Sequence, residues 1–392
     1  MNNEKIQNLS VFYKNFLLNN CMSYWEKYAP DYKNGGYYTC LDRDWKLYNT
    51  DKSVWFQGRG VWMFSSLYNY IDKREEWLKI SKLGIDFIDK HCFDTDGRMF
   101  FQVTADGRPL RKRRYMFSET FAIIAYAEYY KSSGNTEYLE KAKKLYNMVM
   151  SLYKNPVGIE PKVCPQTRKT KALALPMILL ATSQNMREVE PDNPQYNQEI
   201  DQLLKDVFEN FYKPEEHALF ENVDEDGSRM DSPQGRCVNP GHSIETAWFL
   251  LHEGMYRNDD DIIKKALNIL DWSLELGWDK EHGGLYSFID IECKPPEQLE
   301  WDMKLWWPHT EAIYATLLAH FITGEAKYEE WFQRINDWSF EHFNDDECGE
   351  WYGYLHRDGS PALTLKGSMW KGMYHLPRAL LLCVKLLEDK LK

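Results

Sequence analysis

Three histidines and one arginine recur at nearly equal spacing along the chain. His309 follows His242 by 67 positions, and His375 follows His309 by 66. Arg59 precedes His242 by 183 positions, which is three times 61. Histidine exchanges protons near neutral pH, whereas arginine stays charged and can stabilise an anion. Because such a period is typical of repeat proteins, we expect the four side chains to occupy equivalent places in successive repeats.

Each of these residues lies in a short motif that carries further candidates. Glu245 lies one helical turn after His242, so its carboxylate is predicted to orient that imidazole. Glu119 lies 60 positions after Arg59. The other residues that we predict to bind a substrate are close to the phased histidines or share their motifs: Trp248, Lys304, Trp306, Trp307, His309, Glu311, Lys371 and Arg378.

The same residue types also allow plainer roles. A Trp at a helix start usually belongs to the core, and Arg378 could simply pair with Glu311 or Glu388. Three phased histidines could instead bind zinc, but the lysines and arginines beside them would surround the ion with positive charge. The eight cysteines form no CxxC pair, and no glycine-rich nucleotide loop is present. We therefore predict a site without a metal.

Composition narrows the class of protein. A net charge of −12 argues against a nucleic-acid partner, which would need a basic face. No apolar run reaches the roughly 20 residues that cross a bilayer, and the first residues lack the pattern of a secretory signal. We therefore expect a cytoplasmic protein without a membrane partner. Fifteen Trp and 25 Tyr suit either a large aromatic core or a carbohydrate pocket, since flat rings pack on the apolar faces of sugars.

Six turn-rich segments divide the chain at a nearly constant interval. The gaps between them are 62, 61, 61, 64 and 66 residues, measured at these markers: Gly35, Gly97, Gly158, Leu219, Gly283 and Gly349. A second turn follows three of the markers and predicts short β-hairpins at Asp106-Gly107, Asp226-Gly227 and Asp358-Gly359. Each interval has room for two helices.

The predicted helices are of two kinds. Amphipathic helices are expected near residues 4–28, 75–91, 136–153, 195–211, 261–276 and 326–342. Helices that are apolar nearly all round, and hence buried, are expected near residues 53–70, 115–131, 170–186, 241–256, 307–322 and 369–388. This alternation predicts an all-α fold, an (α/α)6 barrel of six helical hairpins with short β-hairpin insertions, as a single domain over residues 1–392. The phased residues would then meet at one mouth, where helix N-termini favour an anion.

The motifs around the phased residues resemble those of the N-acylglucosamine 2-epimerase family. That family includes the mammalian renin-binding protein and is related to the cellobiose 2-epimerases. The matching blocks lie between about residue 10 and residue 388: Trp55-Phe56-Gln57-Gly58-Arg59, Phe117-Ser118-Glu119, Asn239-Pro240-Gly241-His242, Lys304-Leu305-Trp306-Trp307-Pro308-His309-Thr310-Glu311, and Lys371-Gly372 with His375, Pro377 and Arg378. The resemblance implies an (α/α)6 barrel that epimerises sugars at C2 without a required cofactor and forms a homodimer. It also implies ATP as an allosteric activator in animal members.

The implied reaction interconverts N-acetyl-D-glucosamine and N-acetyl-D-mannosamine after the sugar ring opens. Inversion at C2 needs one acid/base group on each face of the carbon, and we assign these to His242 and His375. Arg59 is assigned to the enediolate. Glu311 and His309 are expected to handle O1 and O5, or to hold hydroxyls. Three aromatic side chains are expected to stack on the sugar: Trp248, Trp306 and Trp307.

Three alternatives stay open. The substrate could be an unmodified sugar such as mannose or cellobiose, although apolar Ala174 and Pro176 in the third repeat favour the N-acylglucosamine branch. An inverting glycoside hydrolase on the same barrel would use Glu245 and Glu311, with carboxylates about 6.5–9.5 Å apart. A binding protein without activity is the third possibility.

Overall fold

A computed structural model gives the fold and describes residues 1–112, 115–159, 163–164 and 166–392. In this part of the chain twelve helices follow one another in sequence. They are α1 (Asn3–Asn15, continued by the π-helical segment Phe16–Met22 and by Ser23–Tyr28), α2 (Val54–Tyr70), α3 (Glu75–His91), α4 (Phe117–Ser133), α5 (Thr136–Lys154), α6 (Ala174–Val189), α7 (Pro194–Asp206, continued by the π-helical segment Val207–Phe211), α8 (Pro240–Arg257), α9 (Asp260–Gly277), α10 (Trp306–Thr323), α11 (Ala326–Phe343) and α12 (His375–Lys390).

The even-numbered helices form a closed inner ring, in which each packs on the next and α12 packs back on α2. Each odd-numbered helix packs outside an inner one: α3 on α2, α5 on α4, α7 on α6, α9 on α8 and α11 on α10. The first helix closes the outer layer by packing on α12. The predicted (α/α)6 barrel is thus confirmed.

The hydrophobic pattern explains which helices lie inside. Outer helix α9 buries the stripe of Ile262, Ala266, Ile269 and Leu270 that its amphipathic period predicts. Inner helix α10 buries every residue from Pro308 to His320, because neighbours surround it on all sides. No helix of the described residues is both long and apolar enough to span a lipid bilayer.

The N-terminal ends of the inner helices are fixed by local sequence. Helix α8 begins with Pro240, whose missing N–H costs nothing in the first turn. The Asn239 side chain caps this helix by accepting a hydrogen bond from the His242 N–H at 3.1 Å. Helices α10 and α12 begin at Trp306 and His375. Residues of the predicted site therefore lie in first helical turns.

Short strands connect the helices at this end of the barrel. They are β1 (Cys40–Leu41), β2 (Leu47–Asn49), β3 (Lys52–Ser53), β4 (Phe100–Val103), β5 (Pro109–Lys112), β6 (Thr170–Ala172), β7 (Tyr212–Lys213), β8 (Ala218–Leu219), β9 (Asn222–Asp224), β10 (Cys237–Val238), β11 (Ile289–Asp290), β12 (Lys304–Leu305), β13 (Tyr354–Leu355) and β14 (Pro361–Leu363). All pairings are antiparallel, in the sheets β1–β2, β3–β4–β5, β6–β9, β7–β8, β10–β11 and β12–β13–β14.

Two of the three predicted hairpins form as expected, around Asp106-Gly107 and Asp358-Gly359. At Asp226-Gly227 a tight turn is present, with Gly227 at φ +84°. Its leading strand, however, pairs with β6 from before α6 rather than with a strand after the turn. The hairpin predicted there is therefore wrong: the Asp224 N–H still donates to the Ser228 carbonyl across the turn at 2.9 Å, but residues 228–236 form no strand that could continue the pairing.

Within the described residues, a buried aspartate–lysine pair holds three of the turns, and we call each such pair a turn latch. The three latches are Asp31–Lys52, Asp279–Lys304 and Asp345–Lys366, with Oδ2–Nζ distances of 2.7, 3.0 and 2.8 Å. In each, the other carboxylate oxygen accepts backbone N–H groups of its own turn. A latch therefore fastens the turn after an outer helix to the segment that leads into the next inner helix.

Candidate active site

A cavity of about 310 Å³ lies at the end of the barrel where the inner helices begin. Its lining combines acid/base and cationic side chains with aromatic and aliphatic ones: Trp55, Arg59, Phe117, Phe121, Ala174, Met177, Ile178, His242, Glu245, Trp306, Trp307, Trp370, Tyr374, His375 and Arg378. Seven of the predicted site residues thus meet around one space: Arg59, His242, Glu245, Trp306, Trp307, His375 and Arg378.

His375 is held in position by a buried carboxylate. Its Nδ1 lies 2.7 Å from Oε1 of Glu311, which fixes the proton on Nδ1 and leaves the Nε2 lone pair available. Burial lowers the pKa of His375 well below its usual value, and the nearby charges of Arg59 and Arg378 lower it further. His375 is therefore neutral at pH 7 and suited to act as a base.

His242 faces a different electrostatic environment. Its Nδ1 lies 2.9 Å from Oε2 of Glu221, which immediately precedes β9. Burial opposes protonation, but the charge and hydrogen bond of Glu221 and the charge of Glu245 outweigh it and raise the pKa of His242. His242 is therefore the more readily protonated of the two cavity histidines.

Both histidine rings lie close to the same indole. The Trp307 ring centroid lies 5.2 Å from the His242 ring and 5.8 Å from the His375 ring. In the described part of the chain neither Nε2 forms a hydrogen bond. The pair therefore offers one proton donor and one acceptor to a molecule bound against Trp307.

Arg59 is a half-buried cation without a carboxylate partner among the described residues. Its Nε is buried and forms no hydrogen bond there. Its guanidinium carbon lies 4.1 Å from the ring centroid of Phe121 and 5.0 Å from that of Tyr374, so aromatic faces supply part of the lost hydration. Burial lowers the pKa of Arg59 to about 10, which still leaves the side chain charged at neutral pH. Such a group can stabilise an oxyanion in the cavity.

Arg378 joins two buried carboxylates. Its Nη2 donates to Glu245 Oε1 at 2.6 Å and to Glu311 Oε1 at 2.5 Å. The predicted hydrogen-bonding role of Glu245 is therefore wrong: Glu221, not Glu245, contacts His242. The plainer pairing of Arg378 with Glu311 is present.

The same cluster has the composition of a metal site. Ligand atoms of Glu245, Glu311 and His375 lie within 4.8 Å of one another, the one such group found among the described residues. Arg378 Nη2 lies between them, at 2.6, 2.5 and 3.4 Å. The guanidinium thus fills the position that an ion would need and supplies the positive charge itself.

His309 is not part of the cavity, and its predicted role at O1 and O5 is wrong. Its Nε2 accepts the backbone N–H of Leu285 at 2.8 Å, so its Nδ1–H donates to the Leu305 carbonyl at 2.7 Å. Burial lowers its pKa to about 3, which keeps the ring neutral. The residue is fully buried and ties a turn to the start of α10. His309 is spaced like the other two histidines because the fold repeats, not because it takes part in the reaction.

Three other predicted substrate ligands also have structural roles. Lys304 belongs to a turn latch, and the buried Lys371 pairs with Glu350 and with the Lys366 carbonyl. Glu119 accepts hydrogen bonds from Arg98 Nε at 2.6 Å and from the Met99 N–H at 2.9 Å. None of the three lines the cavity, because each charge is used to fasten a connection between helices.

Of the three predicted tryptophans, two line the cavity and one has a structural role. Trp306 and Trp307 line the cavity, whereas Trp248 lies beneath it and donates its indole N–H to Glu311 Oε2 at 2.9 Å. Stacking of Trp248 on a ligand is therefore wrong. Glu311, too, is a positioning residue behind the cavity, since its oxygens are engaged by His375, Arg378 and Trp248.

Sequence reasoning missed Glu221 and most of the apolar lining. Glu221 shares no phase with the other polar residues, and only the proximity of β9 to the start of α8 brings it to His242. In the third repeat the prediction named Ala174 and Pro176. Ala174 does line the cavity, but Pro176 does not, and its place is taken by Met177 and Ile178.

Comparison with known proteins bears on the whole chain. The family model for N-acylglucosamine 2-epimerase (GlcNAc 2-epimerase) matches residues 36–379. The N-acylglucosamine 2-epimerase of Bos taurus is 35% identical over 383 residues, covering 95% of this chain and 90% of its own. That of Mus musculus is 34% identical over 379 residues, covering 94% and 90%. The structure of cellobiose 2-epimerase from Bacillus thermoamylovorans B4167 superimposes with a TM-score of 0.84 at 22% identity, covering 98% of this chain and all (100%) of that one, which supports the fold.

Proposed function

Because the chain belongs to the N-acylglucosamine 2-epimerase family, we propose that it interconverts N-acetylglucosamine and N-acetylmannosamine by inverting C2. One observation carries the assignment. Two histidines with oppositely shifted pKa values lie beside Trp307, and Arg59, whose Nε forms no hydrogen bond within the described residues, lines the same cavity. Titratable groups whose environments push their pKa values apart are the pattern of an acid/base pair.

The mechanism starts from the open-chain sugar. Neutral His375 removes the C2 proton through Nε2, and the C–H electron pair moves into the C1 carbonyl to give an enolate. The charged Arg59 stabilises the developing oxyanion at O1. Protonated His242 then delivers a proton to C2 from the opposite face, which inverts the centre. The reverse reaction uses the same groups with their roles exchanged.

Glu311 and Glu221 complete each half of the site. Each carboxylate accepts from Nδ1 of one histidine, so the reactive Nε2 points away from it. Around His375, burial and the charges of Arg59 and Arg378 lower the pKa. Around His242, the charge and hydrogen bond of Glu221 outweigh burial and raise the pKa, and this difference sets the two histidines apart.

The arrangement disfavours hydrolysis with Glu245 and Glu311 as acid and base. Both carboxylates bind one guanidinium nitrogen of Arg378, at 2.6 and 2.5 Å. Their ligand atoms also lie within 4.8 Å, closer than the roughly 6.5–9.5 Å between the carboxyl groups of inverting enzymes.

The test is NMR of candidate sugars in D₂O with the purified protein. Conversion of N-acetylglucosamine should place deuterium at C2 of the product, because the returning proton comes from an exchangeable imidazole. Mannose, glucose and cellobiose under the same conditions decide between the acylated and unmodified substrates. Conversion with complete retention of C2 protium would overturn the two-base mechanism.

Replacing each histidine in turn tests which face of C2 it serves. His242→Asn and His375→Asn should each lower net conversion by about 10²–10⁴-fold, the usual contribution of a general acid or base. One variant should still exchange deuterium into a single epimer, since the remaining histidine can remove and return a proton on its own face. Turnover near the wild-type rate in either variant would remove that histidine from the mechanism.

Further properties follow from family membership as part of the proposal. The reaction consumes no cofactor and needs no metal, so EDTA should leave the rate unchanged. We propose a homodimer, to be checked by light scattering, and ATP as an activator, to be checked by initial rates with and without nucleotide. A cytoplasmic location is supported by the eight cysteines, all of which are unpaired.

A further inference from the structure

The cavity has two chemically different sides. Helices α2, α8 and α12 contribute Arg59, His242 and His375, which serve the reaction. Every residue that α4 and α6 contribute is apolar; these are Phe117, Phe121, Ala174, Met177 and Ile178. We call these five residues the apolar wall. Ala174, Met177 and Ile178 fall on one face of α6, at spacings of three and four residues.

The apolar wall restricts which part of a sugar can lie against it. A hydroxyl group placed there would lose its hydrogen bonds to water and find no replacement, whereas an alkyl group would gain contact. In an N-acylated sugar the alkyl group is the end of the acyl chain. The chain is attached to C2, the carbon that must lie between the two histidines, so its end reaches the wall within a few bonds.

We infer that the apolar wall binds the end of the 2-acylamino group and sets which acyl lengths the enzyme accepts. This inference rests on the proposed function and extends it to the specificity of the site. Ala174 has the smallest side chain of the wall, and Ile178 lies one helical turn further along α6, where it borders both cavities.

Two residues of the apolar wall, Phe121 and Ile178, also line a second cavity. This space of about 110 Å³ lies further along the barrel axis and shares Phe121, Ile178, Tyr374 and Arg378 with the first. It could hold about three or four groups the size of a water molecule. Shortening Ile178 would therefore join the two spaces and admit a longer acyl chain, whereas enlarging Ala174 would close the wall.

The test compares kcat/KM for N-acetyl-, N-propanoyl-, N-butanoyl- and N-pentanoylglucosamine. One methylene in an apolar pocket changes kcat/KM by about 10- to 200-fold. Ile178→Ala should therefore raise the pentanoyl-to-acetyl ratio at least about tenfold, and Ala174→Leu should lower the propanoyl-to-acetyl ratio by a similar factor.

Ile124→Ala and Ala181→Leu are the matched controls. Both residues line the second cavity but not the first, so the same chemical changes there should leave the ratios of the acyl series unchanged. Circular dichroism and thermal unfolding establish that each variant is folded. Should Ile178→Ala not fold, Ala174→Leu decides the question alone.

The possible results distinguish a failure of the proposed function from a failure of the inference about the apolar wall. If the wild-type protein converts no N-acylglucosamine, the proposed function fails. If it converts N-acetylglucosamine but folded variants at residues 174 and 178 keep the wild-type acyl preference, the inference is overturned and the proposed function stands. Equal shifts in the control variants would also overturn it, because they would trace the effect to general loosening of the barrel.

Discussion

Replacing Glu221 by Gln tests how the two histidines are made different. The substitution keeps the size of the side chain and removes the charge that raises the pKa of His242. Burial then dominates, and the pKa of His242 falls. His242 acts as the proton donor, so activity is lost as the pH rises through its pKa. The alkaline limb of the kcat/KM profile should therefore move to lower pH in Glu221→Gln, while the acid limb, which His375 controls, should stay in place.

The size of the effect follows from the 2.9 Å contact between Glu221 and His242. A hydrogen bond to a charged group contributes about 1.5–3 kcal/mol, which corresponds to about 10- to 150-fold in rate. We expect a loss of this size in kcat/KM at pH 7. The loss should be smaller at lower pH, where His242 becomes protonated without the help of the carboxylate.

The assay is the pH dependence of initial rates for N-acetylglucosamine, with Glu225→Gln as the control. Glu225 lies close to Glu221 in sequence but is exposed and pairs with Lys169, so its loss should change nothing measurable. An alkaline limb that stays in place in Glu221→Gln, at full activity, would refute the assignment of His242 as the acid and Glu221 as the group that tunes it.

Three further predictions concern residues that support the site. His309→Asn should lower the free energy of unfolding by about 2 kcal/mol or more, because packing is lost and the Leu285 N–H is left without its acceptor. The kcat of this variant should stay within about threefold of the wild-type value. A folded variant without activity would contradict this. The pKa of His309 is about 3 in the folded protein and about 6.5 in the unfolded chain. The stability that His309 contributes is therefore lost as the pH falls below about 6.5. In denaturant unfolding, the difference in free energy of unfolding between the wild type and His309→Asn should narrow below this pH by up to about 1.4 kcal/mol per pH unit. Arg378→Met should destabilise the fold by about 3–5 kcal/mol, because it removes the cation that pairs with two buried carboxylates. Added Zn²⁺ should then restore part of the melting temperature, whereas no response to Zn²⁺ would argue that the guanidinium does not occupy the position of an ion. Lys371→Met should lower the melting temperature without raising KM. A rise in KM at an unchanged melting temperature would instead show that this lysine contacts the substrate.

The fold was predictable because its signal is spread over the whole chain. Six turn-rich segments at five similar intervals, and two kinds of helix that differ in how much of their surface is apolar, are enough to specify a double ring. Individual turns carried less information. Strand β9, for example, pairs with β6, which precedes α6 in the chain. Nothing in the local sequence of β9 indicates this partner.

The site was only partly predictable, because the repeat brings both chemical and structural residues into phase. His242 and His309 occupy similar places in their motifs, yet only His309 has both ring nitrogens bonded to backbone groups. Lys304 and Lys371 lie in the matched motifs, yet each pairs with a buried carboxylate and does not line the cavity. Glu221 was missed because its contact with His242 arises from the path of a connection rather than from any periodicity.

The turn latches also bear on how the barrel assembles from the unfolded chain. They join groups only 21, 25 and 21 residues apart. Short loops cost little entropy to close, and chains rich in local contacts fold faster than those that depend on distant ones. The first, fifth and sixth repeats can therefore take shape early and independently. Packing of α12 against α2 joins opposite ends of the sequence, so closure of the inner ring, and with it the meeting of His375 and Arg59, belongs to the last stage of folding.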